Sequence, residues 1–247
     1  MEETAPTEEE RSAARAVLDL RALKVAFQPI VDFKTGKTFA FEALVRPQIE
    51  AVRIPPVLFR AAVQEKICGP LGRIIRHQAV EQCPDTPLFL NIHPDEFGDR
   101  YLVRPDDPLF EHSPGVYLEI TESVPLSHYE MCHSVLHELR HRGICLAVDD
   151  LGAGFSNLKY IADLAPEIVK LDRELIVALH EAPRLKKLVR ALVRLCEDLG
   201  AKVVAEGIET REEFLALREL GTHYAQGYFL ARPAFDPPEL DVDPNSL

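Results

Sequence analysis

Two adjacent aspartates, Asp149 and Asp150, end the apolar run CLAV and lead straight into a glycine-rich turn, giving CLAVDDLGAGFS over residues 145–156. Neighbouring carboxylates repel each other and resist desolvation, so such a pair needs a solvated loop, a hydrogen-bond network or a cation. The pattern of an apolar run ending in a polar residue recurs: VAFQPI, FAFEALV, LFLNI, VYLEIT, CLAVDD, EIVKLD, KVVAEG and HYAQGYF. These runs carry Gln28, Glu42, Asn91, Glu119, Asp149 with Asp150, Lys170 with Asp172, Glu206 and Gln226. If they converge, Glu42, Glu119, Asp149, Asp150 and Glu206 share one space, with Lys170 and Arg46 as nearby cations. A divalent metal relieves that repulsion. Oxygen donors without a paired histidine or thiol favour Mg²⁺ or Mn²⁺ over zinc. Two ions about 3.5–4 Å apart, sharing Asp149, suit this donor set.

Elements must bring these residues together. Most of the apolar runs are followed by a helix-patterned segment, and eight alternating strand and helix units in one domain predict a (β/α)8 barrel of the TIM type. Only DFKTGKT, residues 32–38, separates the first two runs. That is too short for a crossover helix, so the first strand is expected to pair antiparallel and make the α/β barrel irregular. Such barrels place their chemistry at the C-terminal mouth. Residues 1–22 read as an acidic lead and a helix over Glu9 to Leu23 or so, 23–233 as the barrel, and 234–247 as a proline-rich acidic tail that lies over the surface or frays.

Composition narrows the partners. The 247 residues are 47% hydrophobic and 28% charged, enough for a large core, and the formal charge of −12 supplies no basic footprint for a nucleic-acid polymer or an anionic membrane. The five cysteines are odd in number and lack a C-x-x-C pair, which predicts reduced, packed thiols in the cytoplasm. The acidic start MEETAPTEEE is no signal peptide, and no apolar stretch reaches the roughly 20 residues of a membrane span.

Two other signals point to structure. The third glycine of a dinucleotide fingerprint beginning Gly152-Ala-Gly154 would fall on Asn157, so those glycines are read as a turn. His133, His137 and His141 have helical spacing, but Val135, Leu136 and Leu139 form the apolar face, which predicts a solvated histidine stripe. His93 is expected to line the mouth without being a ligand.

The ordered series FQPI, FEALVRP, NIHP, EITE, DDLGAGFSNL, KLD, AEGIET and AQGYFLARP, spanning residues 27–233, resembles the motifs of the EAL-domain phosphodiesterases. The joint order of eight motifs is far more specific than any one of them. The resemblance implies an irregular barrel with an antiparallel first strand that hydrolyses cyclic di-GMP to linear pGpG. By position it implies Glu42, Asn91, Glu119 and Asp149 as ligands of one metal, and Asp149, Asp150 and Glu206 as ligands of a second. It implies that Lys170 contacts the attacking water, that Gln28, Leu44 and Arg46 contact substrate, and that Gln226 is the family's active-site glutamine. It implies that Glu122 steadies the loop after the aspartate pair.

The family pattern in that loop is close to DDFGTGYSSL, and this chain differs at Leu151, Ala153, Phe155 and Asn157. Those changes spare the metal ligands and bear on loop closure and dimer coupling. A homodimer is expected from the family alone. Regulation is expected from oligomerisation, a partner protein or a domain outside this sequence. Two alternatives remain at this stage: an EAL-type receptor that binds cyclic di-GMP with little turnover, and a metal-dependent barrel hydrolase for another phosphodiester.

Overall fold

A computed structural model describes residues 5–98, 101–121, 129–152 and 158–242. Eight strands close a barrel in sequence order: β1 Leu23–Asp32, β2 Thr38–Pro47, β3 Leu88–Asn91, β4 Val116–Thr121, β5 Cys145–Leu151, β6 Ile168–Leu171, β7 Lys202–Ala205 and β8 Tyr224–Ala225. β1 is antiparallel to both its neighbours, and every other pairing is parallel. The short connector explains this. Asp32 Oδ1 accepts the N–H groups of Lys34 and Thr35 at 2.7 and 2.8 Å, and Gly36 takes φ 73° to turn the chain back.

Because β1 runs the other way, Gln28 is not at a C-terminal strand end. It reaches the mouth as the register partner of Glu42, with the chain before it continuing beside Leu44 and Arg46. The expected strand-end role is corrected accordingly.

The helices are α1 Glu8–Leu20, α2 Pro55–Glu65, α3 Cys68–Gln82, α4 Tyr129–His141, α5 Leu158–Leu164, α6 Pro183–Asp198 and α7 Arg211–Leu220. α1 opens on a capping box between Thr7 and Glu10 and buries Ala13, Ala14 and Val17 in the core. On α4, Val135, Leu136 and Leu139 are buried while His137 and His141 are exposed, as the spacing predicts.

The tail is anchored over the surface as far as Val242. β8 reaches β1 only at Val31 and Asp32, leaving backbone groups of β1 unpaired above that point. Phe27 exchanges two backbone hydrogen bonds with Ala234, and Leu240 O accepts the Thr38 N–H at 3.1 Å. The Ala234 pair therefore satisfies backbone groups of β1 that the short last strand leaves open, and the Leu240 contact holds the start of β2.

Inside the barrel, Ile30, Ala40, Phe89, Ala147, Ile168, Val204 and Tyr224 form a compact apolar cluster against which Phe39 and Tyr117 pack. Each residue of the cluster lies two positions along the chain from a polar residue of the mouth, with Glu206 and Gln226 immediately past the ends of β7 and β8. Ala40 precedes Glu42, Phe89 precedes Asn91, Ala147 precedes Asp149, Ile168 precedes Lys170, Val204 precedes Glu206, and Tyr224 precedes Gln226. On reversed β1 the order inverts, and Ile30 follows Gln28. A period of two puts both members of each pair on the same face, so the polar layer rests directly on an apolar floor.

Candidate active site at the barrel mouth

Lys170 stands at the centre of that layer, 1% exposed. Its Nζ forms ion pairs with Glu119, with Glu206 at 2.5 Å, with Asp149 at 3.2 Å and with Glu42 at 3.8 Å. Burial alone would depress its pKa, but the surrounding carboxylates outweigh that cost and hold it well above the ordinary lysine value. Glu119, also 1% exposed, shows the opposite balance. Desolvation is the main cause that raises its pKa well above the carboxylate range, Lys170 opposes it, and Glu42, Asp149 and Glu206 add to it. Glu206 is raised for the same leading reason.

Successive residues of a regular strand point to opposite faces, so Asp149 and Asp150 should not both reach the mouth. A bulge resolves the conflict. Val148 pairs with Val169 and Leu151 with Leu171, so β5 spends one more residue than β6 between these pairs. Asp150 takes φ 59°, in the left-handed region, and its N–H donates to Asp149 Oδ1 at 2.9 Å. As a result Asp149, Asp150 and Glu206 each bring a carboxylate oxygen within 4.8 Å of the others.

The amides complete the ring. Gln226 Nε2 donates to Glu42 Oε2 at 2.6 Å and to Gln28 Oε1 at 3.3 Å, while Gln28 Nε2 donates to the Ala231 carbonyl at 3.1 Å. Asn91 Nδ2 donates to Glu42 Oε1 at 3.2 Å. Gly227 lets the β8 loop press against the β7 loop, since a Cβ there would lie 2.1 Å from the Ile208 carbonyl oxygen. Gln226 and Glu206 are thereby held side by side.

Two cavities meet at Glu42. One of about 420 Å³ is lined by Glu42, Leu44, Arg46, Asn91, His93 and Arg76 among others. The second, about 340 Å³, includes Gln28, Glu206, Gln226, Arg173 and Tyr228. Leu44 and Arg46 are half-buried, two and four residues beyond Glu42 on the same face of β2. Arg46 does not act as a counter-ion to the acids: its Nη1 donates to the Val45 carbonyl, and among the described residues it forms no ion pair. Lys170 fills that role for Glu42, Glu119, Asp149 and Glu206, because it rises from the barrel interior while β2 carries Arg46 above the rim. Asp172 caps the next turn through the Glu174 N–H at 2.7 Å.

Glu122 and residues 153–157 lie outside the described residues. The sequence reading missed a buried network beside the mouth, Arg76 with Glu96 and Asp107. Its one legible signal was an arginine inside the apolar face of the α3 pattern, between Ile75 and Ala79.

The donor set fits divalent cations. Five carboxylates and the Asn91 amide converge, Asp149, Asp150 and Glu206 already form a tight oxygen trio, and Oε2 of buried Glu119 lacks a hydrogen-bond partner. Oxygen-only donors suit hard ions of the Mg²⁺ and Mn²⁺ type.

The EAL domain profile matches residues 10–233. The chain is 31% identical over 236 residues to cyclic di-GMP phosphodiesterase PA2567 of Pseudomonas aeruginosa, covering 90% of this chain and 40% of that protein. The manganese and cyclic di-GMP complex of BlrP1 from Klebsiella pneumoniae superposes with a TM-score of 0.76 at 29% identity, over 89% of this chain and 58% of that one. The PaMucR phosphodiesterase in complex with cyclic di-GMP gives a TM-score of 0.79 at 27% identity, over 92% and 97%. The chain spans 27–40% of the length of the first three sequence relatives. The barrel with its reversed first strand, the ordered mouth residues and the profile match over nearly the whole chain lead to one assignment: this chain belongs to the EAL domain family.

Proposed function

We propose that this domain hydrolyses cyclic di-GMP to linear pGpG, with Mg²⁺ or Mn²⁺, two ions in all, held by Glu42, Asn91, Glu119, Asp149, Asp150 and Glu206. The observation that carries this reading is the convergence of four carboxylates, Glu42, Glu119, Asp149 and Glu206, on one buried lysine above an apolar floor, with Asp150 beside Asp149 and Glu206. Cations bound there lower the pKa of a water and neutralise charge on phosphoryl oxygens. The chain's own groups do the rest. The floor excludes water from below, which strengthens every electrostatic contact in the layer. The Lys170 ammonium donates to the attacking water and steadies charge that develops beside it. Glu206 and Asp149, both within reach of Lys170, are placed to accept the water's proton. Gln226 holds Glu42 in its ligand orientation, and Gln28, Leu44 and Arg46 contact the nucleotide along the rim. In this reading Glu122 orders the loop after the aspartates.

The proposal extends to a cytoplasmic homodimer under control of a partner protein, with residues 23–233 as the catalytic unit. Support comes from free cysteines Cys68, Cys83, Cys145 and Cys196, and from exposed Leu188 on α6 and Leu199 just past its end. Incubation with cyclic di-GMP and Mg²⁺ or Mn²⁺, followed by chromatography, tests the activity. Appearance of pGpG is expected; binding without cleavage would make the domain a receptor, and neither would point to another phosphodiester.

A further inference from the structure

The loop that leaves Asn91 is tied down by buried charge. Glu96 is fully buried and uses both carboxylate oxygens: Oε2 accepts from Arg76 Nη1 at 2.6 Å, and Oε1 accepts from the His93 backbone N–H at 3.0 Å. Arg76, 1% exposed on α3, turns its other edge to Asp107, with Nε and Nη2 donating to the two carboxylate oxygens at 3.1 and 3.0 Å. The backbone has been shaped around this contact. A Cβ on Gly72 would sit 2.1 Å from Glu96 Oε2, so α3 carries a glycine where the carboxylate passes.

A buried ion network of one arginine and two carboxylates is a weak source of stability, since desolvation cancels most of its attraction. What it supplies is geometry. His93 stands two residues past Asn91, the exposed last residue of four-residue β3, whose amide donates to Glu42. After Asn91 the chain is held by the Ile92 N–H on the Glu119 carbonyl at 3.3 Å and then by the His93 N–H on Glu96. Phe59 adds a parallel ring contact with His93 at 5.8 Å. Arg76 and His93 also line the 420 Å³ cavity that contains Glu42 and Asn91.

We propose that Arg76 and Glu96 are positioning residues for Asn91, and through it for the divalent-cation site of the mouth, an inference that rests on the metal-dependent reading above. The carboxylate is required because it offers acceptors to two donors at once. A glutamine has one acceptor oxygen and must leave either Arg76 or the His93 N–H unpaired.

Glu96→Gln tests this through Mn²⁺ affinity, read from loss of the free-ion electron paramagnetic resonance signal, a measurement independent of hydrolysis. The variant should bind Mn²⁺ about 10- to 100-fold more weakly than the parent chain. Saturating Mn²⁺ should restore turnover toward the parent value, with KM for cyclic di-GMP unchanged. Leu217→Ala, a core truncation on α7, should lower thermal stability and leave Mn²⁺ affinity alone. Should Glu96→Gln fail to fold, Arg76→Lys, which keeps the charge and loses the fork, carries the same expectation. Unchanged Mn²⁺ affinity in a folded variant, or equal weakening in Leu217→Ala, overturns the positioning role only. Failure of the parent chain to bind Mn²⁺ overturns the metal-dependent reading and this inference with it.

Discussion

Glu42 is the residue on which most of the mouth depends. It accepts from Gln226 and Asn91, faces Lys170 and borders both cavities. Glu42→Ala takes away a proposed metal ligand and leaves two amide donors without their acceptor. Losing about 4 kcal/mol of transition-state stabilisation corresponds to roughly a 10³-fold fall in turnover. Because the substitution also removes one of several repelling carboxylates, thermal unfolding should move little. Near-parent hydrolysis by a folded, metal-saturated variant would remove Glu42 from the ligand set. Glu119→Gln separates charge from shape at the same scale: it keeps the volume on β4, and the Mn²⁺ concentration for half-maximal activity should rise sharply. An unchanged metal requirement would reassign Glu119 as a structural partner of Lys170.

At the scale of elements, the β5 bulge is the device that turns neighbouring aspartates to one purpose. Asp150 sits at φ 59°, a conformation that asparagine tolerates and β-branched residues do not. Asp150→Asn should therefore unfold at nearly the parent temperature while losing metal affinity. Asp150→Val should cost an additional 1–2 kcal/mol or so in stability by denaturant titration. Equal stability of the two variants would show that the bulge relaxes without penalty.

The strand below offers a pH test. His223 Nδ1 accepts the Val203 N–H at 3.1 Å, and burial is the main cause that depresses its pKa. Glu197 and Asp32 oppose that shift and Lys202 reinforces it. A histidine held neutral in the fold contributes fully above its unfolded pKa of about 6.5. That contribution is lost as pH falls below this value, because the unfolded chain then binds a proton the folded chain resists. Unfolding free energy should drop between pH 7 and 5.5, and His223→Asn should flatten the drop in that window. An identical pH profile for the variant would assign the dependence elsewhere.

For the molecule as a whole, an oxygen-lined mouth on a rigid floor implies selectivity by geometry. Calcium accepts six to eight ligands at longer distances than Mg²⁺ or Mn²⁺, so it should occupy the site and misplace the reacting groups. Ca²⁺ added to the Mn²⁺-loaded protein should inhibit pGpG formation in competition with Mn²⁺. Full activity with Ca²⁺ alone would contradict a tightly positioned site.

The short apolar runs ending in a polar residue, VAFQPI through HYAQGYF, with DFKTGKT too short to cross over, pointed to the eight strands, the reversed first strand and the polar residues that converge at the mouth. Strand periodicity is local and survives in a bare sequence. Three features belonged to the tertiary structure alone. Lys170, rather than Arg46, became the counter-ion, because only barrel closure shows which cation rises from inside and which lies above the rim. Asp149 and Asp150 came to share a face through a bulge that is defined only against β6. Arg76, Glu96 and Asp107 met across 31 positions of chain, and ion pairs at that separation leave no periodic trace. Charges brought together by closure answer to distance in space, and sequence spacing records that distance only along a strand or a helix.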